Sequence, residues 1–247
     1  MTELTPYHKL IPERIEILEK FKEIKKKYLK IHFKTKLANR ELLTISYVLN
    51  PNIKETIMIT AGCHGNEPAP IYAIYNFLKK TKIRNKRIII VPCIVPYGFS
   101  LHIDKNENGI DINRDFYSKN NQRETKLLKQ LVKNYKPSFV LNLHEDPDEN
   151  MFYLYLCGHK KNDKNKINAE KTIKYISNDV EFYKRKKIHT DIVKNGIIEN
   201  PSKSKTFEDY LRDLNIPNFC IETPGTYSLK KRIEIQEKVI NFVIKNT

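Results

Sequence analysis

Two hydrophobic periods run along this chain, one helical and one extended. Ile15, Leu18 and Phe21 recur at helical spacing opposite glutamates and lysines, which predicts an amphipathic helix from about Pro12 to Tyr28. Two strand-like runs follow, Leu42 to Leu49 and Glu55 to Ala61, and the turn residues Asn50-Pro51-Asn52 between them predict a hairpin. The second run ends in Gly62-Cys63-His64-Gly65-Asn66-Glu67-Pro68, where a helical pattern through Ile71, Ile74, Tyr75 and Leu78 begins at once. Arg87 to Pro96 is continuously apolar, as a strand buried on both faces should be. A polar stretch from Tyr97 to Asn121 shows little periodicity, and a loop of that length in a compact domain is usually functional.

Beyond it the pattern predicts a helix from Gln122 to Tyr135 and strands at Ser138 to Leu143 and Met151 to Cys157. Lys160 to Asn168 reads as a surface loop opening a helix to about Ser177. A helix around Phe207 to Leu214, a strand at Asn218 to Ile221 and a final helix to Lys245 complete the chain. Alternating strands and helices without internal repeat or linker predict one α/β domain over residues 1–247, with 1–30 as an N-terminal helical extension.

Composition changes this picture little. The 247 residues carry a net charge of +16, which invites a nucleic-acid partner. The charge is 36 Lys against only 9 Arg, however, and the lysines are spread through every part of the sequence instead of gathered on one segment. The expectation is no nucleic-acid partner, with at most a basic surface that draws anionic substrates. No stretch approaches the roughly 18 apolar residues of a membrane span, and the first residues lack the apolar core of a signal peptide, so the expected location is cytoplasmic. Cys63, Cys93, Cys157 and Cys220 are widely spaced and read as buried thiols.

The candidate chemistry lies where apolar strands end in ionisable residues, because open α/β sheets bind ligands at the carboxyl ends of their strands. His64 and Glu67 follow one such strand, His144 a second and Glu222 a third. Two histidines and a carboxylate suit a three-ligand zinc set with a fourth position open, leaving Glu222 as general base. Spacing alone leaves both this reading and ordinary core histidines open. The polar stretch adds Asn113 and Arg114, one of the few arginines, whose planar fork suits a substrate carboxylate; pairing of Arg114 with Asp111 is the alternative.

Taken in order, H-G-N-E at 64–67, G-I-D-I-N-R-D-F at 109–116, L-H-E at 143–145 and E-T-P-G at 222–225 resemble the zinc metallocarboxypeptidase family. Its superfamily includes the succinylglutamate desuccinylase and aspartoacylase-like amidohydrolases. The resemblance implies a mixed, mostly parallel sheet of about eight strands flanked by helices. It implies one Zn2+ held by His64, Glu67 and His144, Glu222 as the catalytic carboxylate, and Asn113 with Arg114 on the substrate's free carboxylate. The implied activity is hydrolysis of a C-terminal peptide or amide bond; a deacylase of N-acyl amino acids is the alternative, and a non-catalytic module a third reading. The substrate is thus expected to be a small peptide, including a cell-wall peptide, or an N-acyl amino acid. Asp146 and Asp148 are placed to meet an amino group such as that of a meso-diaminopimelate end, or else serve the turn at Pro147. The arginine that commonly precedes the G-x-D-x-N-R block is missing, which leaves Lys105 or His102 for the oxyanion, and the family's mobile tyrosine has no counterpart beyond Tyr210 on a helix.

Overall fold

The computed structural model describes residues 11–83, 85–158 and 164–247. Its centre is one ten-stranded sheet with helices on both faces. In chain order the elements are α1 (Pro12–Glu23), β1 (Leu29–Leu37), β2 (Arg40–Leu49), β3 (Thr56–Ala61), α2 (Ala69–Lys80), β4 (Arg87–Val91), α3 (Pro96–Leu101), α4 (Arg123–Tyr135) and β5 (Phe139–Asp146). They continue with β6 (Tyr153–Cys157), α5 (Lys164–Ile176), β7 (Arg185–Ile188), β8 (Asp191–Lys194), β9 (Ile197–Glu199), α6 (Phe207–Asp213), β10 (Asn218–Pro224) and α7 (Leu229–Asn246). The strand order is β1-β2-β4-β3-β5-β10-β6-β9-β8-β7.

The middle of the sheet, β4-β3-β5-β10, is parallel, and these strands are buried almost throughout. Alternation divides their side chains between two cores: Ile57 and Ile59 face α1, α2, α5 and α7, while Met58, Ile89 and Val140 face α4 and α6. Strand β6 joins β10 antiparallel and leads to a wing of short strands, β9, β8 and β7.

Several expectations are corrected. The Leu42–Leu49 and Glu55–Ala61 runs do not form a hairpin: β2 pairs antiparallel with β4, and β4 lies between β2 and β3. The hairpin partner of β2 is β1, whose Leu29, Ile31, Phe33 and Leu37 alternate with solvent-facing Lys30, Lys34 and Lys36, a strand period that the expected helix to Tyr28 and the runs from Leu42 onward pass over. The polar stretch contains α3 and a 3-10 turn at Ile112–Arg114. Within the expected Lys160–Asn168 loop, residues 160–163 lie outside the described residues and Lys164 already begins α5; the first ten residues of the expected N-terminal extension are likewise outside them. All four cysteines are buried and free. Among the described residues no helix is long and apolar enough to cross a membrane.

Candidate active site

The parallel register brings the strand ends together. Ala61 of β3 is level with Leu143 of β5, and His144, the next residue, is level with Glu222 of β10. Just past Ala61 the backbone turns through Gly62, at φ +67°, into the loop that carries His64 and Glu67 to the start of α2. At Gly65 the loop backbone touches that of Gly98, and an added Cβ would meet the Gly98 carbonyl carbon at 2.0 Å. No other residue fits there.

The His64 and His144 rings lie 5.1 Å apart, and Glu67 spans them. Its Oε1 is 2.6 Å from His64 Nδ1 and its Oε2 is 3.0 Å from His144 Nδ1. Glu67 Oε2 also accepts from the backbone N–H of Glu145 at 3.2 Å. Burial opposes charge on both imidazoles, yet the facing carboxylates outweigh it and raise their pKa values. The same pairing holds Glu67 well below the usual carboxylate range against the effect of burial. Two imidazoles and one carboxylate, with donor atoms all within 4.8 Å of one another, suit a borderline divalent ion such as zinc, so the donor set fits.

Asp111, expected as the alternative partner of Arg114, turns to His64 instead. Its Oδ1 faces His64 Nε2 at 3.2 Å and accepts from the backbone N–H of Asn113 at 2.8 Å. A carboxylate on the outer nitrogen fixes the ring and the tautomer of a ligating histidine. Arg114 keeps one N–H on the Asn113 carbonyl, 3.0 Å away, and forms no ion pair with Asp111. Asn113 Oδ1 accepts from the backbone N–H of Phe207 at 2.9 Å, which fastens this turn to the start of α6.

His64, Glu67, His144, Glu222, Asn113 and Arg114 line one cavity of about 390 Å³. A larger groove of about 860 Å³ runs past Met151, Phe182 and Tyr227, but among the described residues no candidate metal-ligand trio lines it. Burial lifts the Glu222 pKa to about 8, with Glu67 and Asp146 adding to the rise and His144 opposing it.

The cavity also contains residues that sequence reasoning missed. Tyr153 and Tyr155 line it from β6, and Tyr153 pairs with Glu222 across the ladder. Their alternation with Leu154 and Leu156 was the available signal. His189 and Asp191 reach it from the β7–β8 turn. Glu208, at the start of α6, is a buried carboxylate whose Oε1 accepts from Asn142 Nδ2 at 2.7 Å. No ion pair to it forms among the described residues, and it lies close to His144 and Cys220.

Asp146 lines the cavity, but its oxygens accept from the Tyr153 hydroxyl at 2.5 Å and the Asp148 backbone N–H at 3.0 Å. Asp148 is exposed and does not line it. Neither His102 nor Lys105 reaches the cavity, and Tyr210 packs against Phe116 on the α4 side of α6.

The donor trio gathered at the strand ends, with a buried carboxyl level with one of its histidines, makes a candidate metal centre. Residues 53–237 match the succinylglutamate desuccinylase/aspartoacylase catalytic domain, and the chain belongs to that family. Its fold is similar to that of a Shewanella baltica protein classed as a metallopeptidase, with a TM-score of 0.79 at 19% identity over 95% of this chain and 91% of that one. It is also similar to a metallo-carboxypeptidase from Pseudomonas aeruginosa, with a TM-score of 0.68 at 13% identity over 96% of this chain and 69% of that one. Murein peptide amidase A of Escherichia coli K12 is 25% identical over 120 residues, covering 37% of this chain and 50% of the amidase. The chain thus spans about half the length of the curated relative it matches.

Proposed function

We propose that this protein is a zinc-dependent carboxypeptidase that hydrolyses the amide bond beside a free carboxylate, with the end of a short cell-wall peptide as its substrate. The observation that carries this reading is the placing of Glu222 level with His144 in one cavity with His64, Glu67 and Arg114. His64, Glu67 and His144 would hold the zinc, which when bound supplies a Lewis acid and a water whose pKa falls from about 15.7 to about 7.

The chain's own groups do the rest. Arg114 and the Asn113 amide grip the substrate carboxylate, which fixes the scissile bond in the cavity. Glu222 accepts a proton from the attacking water and returns it to the leaving amine nitrogen. Asp111 keeps His64 in the ligating tautomer. Glu208 favours a substrate side chain that carries an amino group, since a buried carboxylate with no cation partner gains most from receiving one. A meso-diaminopimelate end offers that group, and the amidase likeness points the same way.

The family match favours a second reading, deacylation of N-acyl amino acids, which needs the same zinc, base and carboxylate receptor. Zinc-reconstituted protein assayed on short peptides and on N-succinyl and N-acetyl amino acids separates the two. Peptide turnover, abolished by chelation, is the expected result. Turnover of acyl amino acids alone selects the deacylase, and turnover of neither rejects both.

A further inference from the structure

The N-terminal helix α1 lies outside the family-matched residues, yet it sends a charged side chain beneath the site. Arg14 is only 7% exposed, an unusual place for a guanidinium. Its Nη1 donates to the carbonyls of Gly65 at 2.8 Å and of Phe99 at 2.9 Å, while its Nη2 donates to His102 Nδ1 at 2.8 Å. The guanidinium also sits 4.9 Å from the centre of the Phe99 ring.

These partners have a shared logic. Gly65 is in the loop between His64 and Glu67, and its backbone rests on Gly98 of α3, one residue before Phe99. The Gly65 and Phe99 carbonyls therefore converge on one guanidinium nitrogen beside a glycine–glycine contact, where they would repel each other without a donor between them. Arg14 bridges both. A second tie, the Ile11 backbone N–H to Ser100 O at 3.0 Å, anchors the start of α1 to the same helix.

We propose that Arg14 is a positioning residue for the metal-binding loop: by joining Gly65 to α3 it holds His64 and Glu67 in ligating geometry, which makes α1 part of the catalytic apparatus. This rests on the zinc reading above. Lysine cannot replace it, because a single ammonium does not span three acceptors set around a planar fork. The His102 ring accepts through Nδ1 and so supports Arg14 instead of meeting the substrate.

The test reads metal retention and needs no substrate. Zinc-loaded wild type, Arg14→Ala and Arg14→Lys are mixed with excess chelator and zinc release is followed, with thermal melts of the apo proteins as a fold control. Both variants should release zinc about tenfold faster or more, the scale of an outer-shell loss. Millimolar guanidinium should restore slow release to Arg14→Ala, while sodium chloride at equal ionic strength should not. His102→Gly, which suits the left-handed φ of 59° at that position, should give a smaller acceleration and covers the case in which Arg14→Ala fails to fold. Release at the wild-type rate from a folded Arg14 variant, or no guanidinium rescue, overturns the proposal, as does an unchanged rate in His102→Gly should the Arg14 variants not fold. A wild type that binds no zinc overturns the metal reading itself, and the two failures are told apart by the wild-type zinc content.

Discussion

Glu222 and His144 are direct partners across the parallel β10–β5 ladder. Side chains at one level of neighbouring strands emerge on one face of a sheet, so the two project into the cavity side by side without any loop to place them. This rigid placement gives the first prediction. Glu222→Gln keeps shape and volume but cannot accept the proton, so kcat should fall by about 10²–10⁴-fold. Zinc content should remain near one per chain, because Glu222 is outside the donor trio. Elemental analysis beside steady-state kinetics checks both, and full activity in the variant would refute the assigned base.

Arg114 should act on binding of the carboxylate end. Loss of a hydrogen bond to a charged group costs about 1.5–3 kcal/mol, or roughly 10- to 150-fold in kcat/KM. Arg114→Met should therefore raise KM for substrates with a free carboxylate and leave their amidated counterparts, already poor, little changed. Arg114→Lys should recover only part of the loss, since it keeps the charge but not the fork. Equal losses on free and amidated substrates would count against this role.

Glu208 should decide between side chains. Glu208→Gln keeps the hydrogen bond from Asn142 possible while removing the negative charge. Peptides whose final residue carries an amino group should lose about 10- to 100-fold in kcat/KM, and neutral ones should be unaffected or improved. A uniform loss across both sets would point to a structural duty for the carboxylate near His144.

The sequence made some of this site legible for a definite physical reason. Strands of a parallel core are buried on both faces, so Ile57–Ala61, Phe139–Leu143 and Phe219–Ile221 are nearly unbroken apolar runs, and the polar residues at their ends stand out. Glu208 and Asp111 had no such contrast, one on a short helix among other acids and the other in a polar turn. Pairing was harder still. Asn50-Pro51-Asn52 describes a local change of direction, but whether the next strand returns beside β2 depends on where β4 inserts, a contact distant in sequence. The strands at both edges, β1 and β7, show lysines to solvent, which suits edges that must not pair with other chains; β1 nevertheless alternates Leu29, Ile31, Phe33 and Leu37 with Lys30, His32, Lys34 and Lys36, a period-2 signal of a strand.

Acid should weaken the fold through His32 on edge strand β1. Its Nε2 lies 2.8 Å from the Ser46 hydroxyl, and burial, with Lys30 adding to it, pushes its pKa down to about 4 from the ordinary 6.5. As pH falls through 6.5 the unfolded chain takes up this proton first, while the folded chain resists until about pH 4. The stabilising contribution is therefore complete above 6.5 and is lost progressively towards 4. The ring is partly open to solvent, so the effect should be about 1–2 kcal/mol, less than the full shift implies. His32→Gln can retain a bond to Ser46 without titrating. In denaturant titrations of the metal-free protein, wild type should lose about that much stability relative to the variant between pH 7 and pH 4.5. A wild-type-minus-variant difference that stays constant across this range would show that His32 is free to protonate in the folded state.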